Sequence, residues 1–451
     1  MAETLLSVGL DVGTTSTQMV VSRLQVENRA GAFAVPELTI GQREILYESP
    51  VYFTPLLEGN RMDAGALREI VEREYATAGI TREQVDTGAV IVTGETSRTE
   101  NAAAVTQALS DLAGSFVVAA AGPDLESILA AKGAGAADYS EKTGETVLHL
   151  DIGGGTSNLA LIRKGQITAT GCLNVGGRLV KLRDGILTYV SPVLREIFPK
   201  RVGDRLEEGE AAALAARLTQ ALEMAAGLRE SDGLLEQLTT REAAGPLPLN
   251  RPGERLTLSF SGGVADCIAR DIPWDRFGDI GPLLGRAIRQ SGLCAGQYVL
   301  GSQTIRATVI GAGCHSTQLS GSTVFCQNVP LPVKNIPVVT EAGQEKHHDG
   351  SVFWALPGLV NPSYPRITAL AEELAALPQP IYLCLEQDMA KALGQALALR
   401  LGRNASILCI DRVRVHPGDY LDVASPVGPA FPVVVKTLVL QRNPSSGGLH
   451  E

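Results

Sequence analysis

Two aspartates stand in nearly the same setting, 140 residues apart. Asp11 lies in Leu10-Asp11-Val12-Gly13-Thr14-Thr15-Ser16-Thr17-Gln18, and Asp151 in Leu150-Asp151-Ile152-Gly153-Gly154-Gly155-Thr156-Ser157-Asn158. Each motif follows an apolar run (residues 5–10 and 146–150) and precedes another (19–22 and 159–162). Strand, glycine-rich turn, strand predicts a β-hairpin in each place. Glycines let a backbone take positive φ, approach a polyanion closely and point N–H groups at its oxygens. Gly13, Gly153, Gly154 and Gly155 suit a triphosphate in this way, and Thr14, Thr15 and Thr156 add hydroxyl donors. Two carboxylates facing across a cleft would organise the waters of Mg²⁺, a cation that keeps much of its hydration. The metal would then neutralise the phosphates and position an attacking water. Asp11 and Asp151 are therefore the expected catalytic and metal-site residues. One hairpin alone reads equally well as turn chemistry; the matched pair favours a nucleotide site.

The elements around the hairpins fit two related α/β halves. Residues 61–78, 99–112 and 124–132 read as helices, and 88–93 and 115–120 as strands. Residues 206–229, rich in Ala, Leu and Glu, read as a helix; 231–252, polar and Pro-bearing, as a loop. A strand over 256–260 runs into Ser261-Gly262-Gly263-Val264-Ala265-Asp266. Residues 330–350 read as loop with an edge strand. Beyond them come helices at 367–376 and 389–401 and strands at 381–385, 407–410 and 432–440. The expected domains are 1–140 and 141–330, the second with a helical insert at about 204–252, and an accessory region over 331–451.

Composition narrows the function. The chain has 451 residues, 45% hydrophobic and 20% charged, with a formal charge of −10. That balance disfavours non-specific binding to nucleic acid or to an anionic membrane. No apolar run is long enough to span a bilayer, and the N-terminus lacks a signal pattern, so a cytoplasmic location is expected. Seven cysteines without a C-x-x-C pair suggest buried thiols rather than disulfides or a zinc site.

The motifs carry a resemblance. Residues 11–17 resemble the first phosphate motif of the actin/Hsp70/sugar-kinase superfamily, and 151–156 the second. Ser261-Gly262-Gly263-Val264 is similar to its adenosine motif, where Gly262 and Gly263 would let base and ribose lie against the backbone. Residues 124–135 and 304–313 resemble the connecting helices, whose small residues allow close crossing and hinge motion. The resemblance implies a duplicated actin-like (ribonuclease H-like) fold that binds ATP with Mg²⁺ between its halves. One feature departs from the Hsp70 pattern. A Glu before Pro helps position water there, whereas Gly122 precedes Pro123 here, with Asp124 and Glu126 nearby. Nucleotide binding is therefore the firmer expectation and fast turnover the weaker one.

Further stretches resemble one family within that superfamily, the ethanolamine ammonia-lyase-reactivating factors. They are residues 9–18, 91–102, 118–127 and 149–158, then Gly418-Asp419-Tyr420-Leu421-Asp422 and residues 432–438. The resemblance implies an ATP-dependent, chaperone-like partner of ethanolamine ammonia-lyase that lets damaged cobalamin leave so that intact adenosylcobalamin can enter. It also implies work in the cytoplasm and association with the ethanolamine microcompartment. The Asp-x-His-x-x-Gly corrinoid signature is absent, so adenosylcobalamin is expected only through the partner. His347-His348 reads as a solvated loop. The competing readings are a small-molecule kinase of the same superfold, for which no base or polyol pocket is apparent, and a non-enzymatic actin-like assembly protein.

Overall fold

The computed structural model describes residues 3–13, 16–28, 38–55, 57, 61–92, 109, 117–120, 123–240, 247, 249, 255–301, 303–315, 317–320, 324–340, 351–413, 415, 419–426 and 431–437. The expected helix 99–112, Thr14, Thr15, His347 and His348 lie outside these residues, Leu109 excepted.

The first sheet contains β1 (Glu3–Val12), β2 (Ser16–Asn28), β3 (Leu38–Glu48), β4 (Tyr52–Phe53), β5 (Thr87–Val92) and β6 (Val117–Ala120). Its order is β3-β2-β1-β5-β6, with β4 on β2. β2 runs antiparallel to both β1 and β3, and β5 and β6 run parallel to β1. β5 is buried at every residue, as a parallel strand covered on both faces must be. The helix Ala64–Ala78 places Leu67, Val71 and Tyr75 against Val8, Leu10 and Met19. Asp63 caps its start and Gly79, at φ 69°, ends it.

The second sheet repeats the pattern with β7 (Thr146–Ile152), β8 (Ser157–Arg163), β9 (Gln166–Leu173), β12 (Leu256–Ser261) and β13 (Tyr298–Leu300), in the order β9-β8-β7-β12-β13. Again three antiparallel strands are followed by two parallel ones. Between β9 and β12 lie the hairpin β10 (Val180–Arg183) and β11 (Ile186–Val190) and the helix Glu208–Ala225. The span 231–252, expected as loop, contains a short helix, Gly233–Leu238. The side chain of Asp232 accepts the Leu234 N–H at 2.8 Å, and Leu234 and Leu238 are buried. Those contacts outweigh the polar composition of the surrounding residues.

Two helices exchange places between the halves. Pro123–Gly133 follows β6 yet packs on β7, β8 and β9; Ala307–His315 follows β13 yet packs on β1, β2 and β5. They cross at glycines. A Cβ on Gly133 would stand 1.9 Å from the Ala307 carbonyl oxygen, and one on Gly311 would stand 2.1 Å from that of Leu129. Only backbone fits there.

The third sheet has eight strands: β14 (Thr317–Leu319), β15 (Phe325–Gln327), β16 (Val333–Val339), β17 (Phe353–Leu356), β18 (Ile381–Leu385), β19 (Ile407–Asp411), β20 (Asp419–Val423) and β21 (Pro432–Thr437). They are ordered β14-β21-β20-β16-β17-β18-β19-β15. Helices Tyr364–Leu374 and Ala390–Leu401 share a core with one face of the sheet. β16, expected as an edge strand, is interior: it pairs with β20 on one side and through Val338 and Val339 with β17 on the other. Pro337 is accommodated because the β17 pairing begins only at the following residue.

The cysteines are less uniform than expected. Cys172, Cys267, Cys384 and Cys409 are buried free thiols, Cys294 is half-buried and Cys326 is exposed. Among the described residues, no helix is long and apolar enough to cross a membrane.

Candidate functional site

β1 and β7 occupy the same central place in their sheets, and each carries its aspartate as the last residue but one. Asp11 pairs across its hairpin with Gln18, and Asp151 with Asn158. The turns close alike: Gly13 N–H donates to the Ser16 carbonyl at 2.8 Å, and Gly153 N–H to that of Thr156 at 2.9 Å. The Thr54 hydroxyl donates to the Gly13 carbonyl at 2.7 Å and so steadies the first loop.

The second loop is held from one side. Gly177 N–H donates to the Gly153 carbonyl at 3.0 Å, and Arg178 N–H to the Gly154 carbonyl at 2.6 Å. A trans peptide points its N–H opposite to its carbonyl. The N–H groups of Gly154 and Gly155 are therefore turned to the other side; Gly155 is exposed, and a Cβ on it would meet nothing within 4 Å. These are donors presented to open space, as an anion site requires. The expected positive φ is not used in this loop: Gly153, Gly154 and Gly155 are absent from the left-handed residues, and the turn closes without it. The strained glycine is Gly262, at φ +86°, whose Cβ would lie 2.3 Å from the Ile152 carbonyl oxygen. That contact presses the turn at Gly262 and Gly263 against the end of β7. Gly262 N–H donates to the Thr304 carbonyl at 3.0 Å, and the Thr304 hydroxyl to Asp266 at 2.6 Å.

Asp151 is buried, and desolvation pushes its carboxyl up to about 6 against a hydrogen bond from the Ser261 hydroxyl. Because Ser261 donates to Asp151, it accepts from His149 Nε2–H at 2.9 Å, and His149 Nδ1 accepts from Ser259 at 3.0 Å. Burial holds His149 down at about 3, so the ring is neutral. On the next strand Asn158 Nδ2 donates to the buried Glu126 carboxylate at 2.9 Å. Glu126 lies in the first turn of the helix Pro123–Gly133. Asp124 instead accepts a hydrogen bond from the Thr170 hydroxyl on β9.

The amide oxygens opposite the two aspartates, Gln18 Oε1 and Asn158 Oδ1, are buried without a hydrogen bond among the described residues. Waters around a hydrated divalent cation are donors of the kind such acceptors need. Two carboxylates, two unfilled amide acceptors and two outward N–H groups are a donor set that fits a Mg-nucleotide.

The halves touch beside the loops. β4 pairs with β2 at Ser16, which sets Phe53 next to the first loop, and the Arg178 guanidinium carbon lies 5.9 Å from the centre of its ring. Arg178 Nε donates to Asp279 at 3.0 Å. Elsewhere Gln18 Nε2 donates to the Ile305 carbonyl at 3.3 Å, and Arg306 to that of Ser49 at 3.0 Å. Phe53, Arg178, Asp279 and His149 had no assigned role in the sequence, and Ser261 entered only as the first residue of the Gly262-Gly263 motif. Only the last two left a signal, since His149-x-Asp151 and Ser259-x-Ser261 alternate on strands that pair in register.

The repeated strand order, the swapped connecting helices and the paired hairpins define an actin-like, ribonuclease H-like duplicated fold. The family model described as ethanolamine utilisation protein EutA matches residues 3–353 and 344–441, and the chain belongs to that family. It is 39% identical to the ethanolamine ammonia-lyase reactivase EutA of Salmonella typhimurium, over 96% of this chain and 98% of that one. The protein of the same name from Escherichia coli K12 is equally similar, at 39% over the same shares. Among solved structures, ethanolamine utilization protein EutJ from Carboxydothermus hydrogenoformans matches with a TM-score of 0.34 and 16% identity, over 68% of this chain and 88% of that one. The Ppx/GppA family member from Aquifex aeolicus gives 0.36 and 14%, over 59% and 69%. The fold assignment rests on the strand order and not on these slight likenesses.

Proposed function

We propose that this chain is a reactivating factor for ethanolamine ammonia-lyase, using Mg-ATP to make the lyase exchange damaged cobalamin for intact adenosylcobalamin. The observation that carries this reading is the 39% identity, over 96% of the chain, to two proteins named as reactivases of that lyase. Mg-ATP supplies the binding free energy that differs between cleft states. The chain's own residues do the rest. Gly154 and Gly155 N–H groups bind phosphate oxygens, and Asp11 and Asp151 hold the hydrated metal. Gly13, Thr14, Thr15, Gly153 and Thr156 complete the two loops, and Gly262 and Gly263 border the adenosine. The Gly133–Gly311 crossing lets the halves turn on backbone contacts. ATP acts on the partner only through a difference in affinity for its two states. A bias of about 4 kcal/mol speeds release roughly a thousandfold if it all appears in the dissociation barrier. Corrinoid binds the lyase and not this chain, and the work is done in the cytoplasm beside the ethanolamine microcompartment. Equilibrium dialysis of labelled cyanocobalamin tests the division of labour. ATP should free the label from inactivated lyase only when this protein is present, with no stable binding to this protein alone. Stoichiometric binding to this protein alone would overturn the proposal.

A further inference from the structure

We propose that Arg178 reads the terminal phosphate of the nucleotide, exchanging a resting contact with Phe53 across the cleft for the phosphate. This deepens the nucleotide-site reading above and rests on it. Arg178 follows directly on the residues that grip the second loop, and its own N–H binds the Gly154 carbonyl. Its main chain is therefore tethered beside the Gly153–Gly155 turn, and its guanidinium lies between Asp279 and the Phe53 ring. Nε is fixed to Asp279, whose side chain is 7% exposed and whose other oxygen accepts the Gly281 N–H at 2.9 Å. A carboxylate held from two sides orients the Arg fork without using its two terminal amino groups. No protein acceptor for those groups is seen among the described residues, and the side chain is 31% exposed, so they are free to bind a ligand. Arg is suited to this role because its planar fork binds two phosphate oxygens at once.

The resting partner belongs to the other half. Phe53 is 81% exposed, yet its position is set: β4 pairs with β2 at Ser16 and Thr17, and the neighbouring Tyr52 hydroxyl donates to buried Glu74. A cation over an exposed ring is a weak contact, readily displaced by a charged ligand. A phosphate between the loops would draw the guanidinium off the ring. That would release one cross-cleft contact in an ATP-dependent way. ADP, lacking the terminal phosphate, would leave the contact in place.

Calorimetric titration of the full chain with Mg-ATP and Mg-ADP tests this. Arg178→Gln should weaken Mg-ATP binding by tenfold or more and leave Mg-ADP within about threefold of the wild type. Arg178→Lys should recover part of the loss, because it restores the charge but not the fork. Equal losses for both nucleotides, or none, would overturn the assignment. Phe53→Leu, at an exposed site that should leave folding intact, should raise Mg-ATP affinity two- to fivefold. Unchanged or reduced affinity would overturn the exchange. If the wild type binds neither nucleotide, the nucleotide-site reading itself fails, an outcome distinct from all of these.

Discussion

Asp151→Asn should make the metal-free protein more stable while disabling its site. Burial holds the Asp151 carboxyl at about 6, against an ordinary value of 3.8, with the Ser261 hydroxyl bond only partly offsetting the desolvation. The folded state thus keeps its proton to higher pH than the unfolded chain. Ionising it costs nothing extra below about pH 4. The cost grows as pH rises from about 4 to 6 and is complete above that. At about 1.4 kcal/mol per pKa unit, it reaches about 3 kcal/mol at neutral pH. An amide of the same shape keeps the Ser261 bond and never ionises. Urea unfolding at pH 7.5 without metal should therefore show the variant more stable by up to about 3 kcal/mol, and at pH 4.5 the advantage should shrink to about 1 kcal/mol. Mg-ATP should reverse the order at pH 7.5, because a cation beside the carboxylate favours its charged form. A variant no more stable at pH 7.5, or equally favoured at both pH values, would refute the buried-carboxylate argument.

Gly155→Val should unfold at the wild-type urea concentration, since its Cβ meets open space, yet lose at least tenfold in ATP affinity by calorimetry. Gly311→Ala should cost about 1–3 kcal/mol in urea unfolding, because its Cβ would be forced to within 2.1 Å of the Leu129 carbonyl oxygen. Asp11→Asn should weaken the Mg²⁺ dependence of ATP binding more than metal-free binding, and a wild-type metal titration would remove Asp11 from the metal site.

The hairpins were legible because a repeated Asp-x-Gly between apolar runs is a local pattern, and both halves inherit it. The small residues of the connecting helices were legible for the same reason, although nothing local shows that each helix packs on the opposite half. Phe53 and Arg178 were not legible: their meeting depends on how two domains face each other, 125 residues apart in sequence. The reading of β16 as an edge strand failed because Pro337 looks like an edge signal until its register is known. The short helix Gly233–Leu238 was hidden in a polar stretch, where Leu234 and Leu238 find a distant core. Positive φ at Gly153–Gly155 was the wrong physical reason for glycine there. The tight approach falls instead on the facing chain, at Gly176, whose Cβ would be 2.4 Å from the Gly154 carbonyl oxygen.

Reactivation of the lyase can be followed in one assay. Ethanolamine ammonia-lyase inactivated with cyanocobalamin is incubated with this protein, ATP, Mg²⁺ and adenosylcobalamin, and ammonia release from ethanolamine is followed. Activity should return only when all four are present, and Asp151→Asn protein should fail to restore it. Recovery without ATP, or no recovery with the complete mixture, would contradict ATP-dependent reactivation.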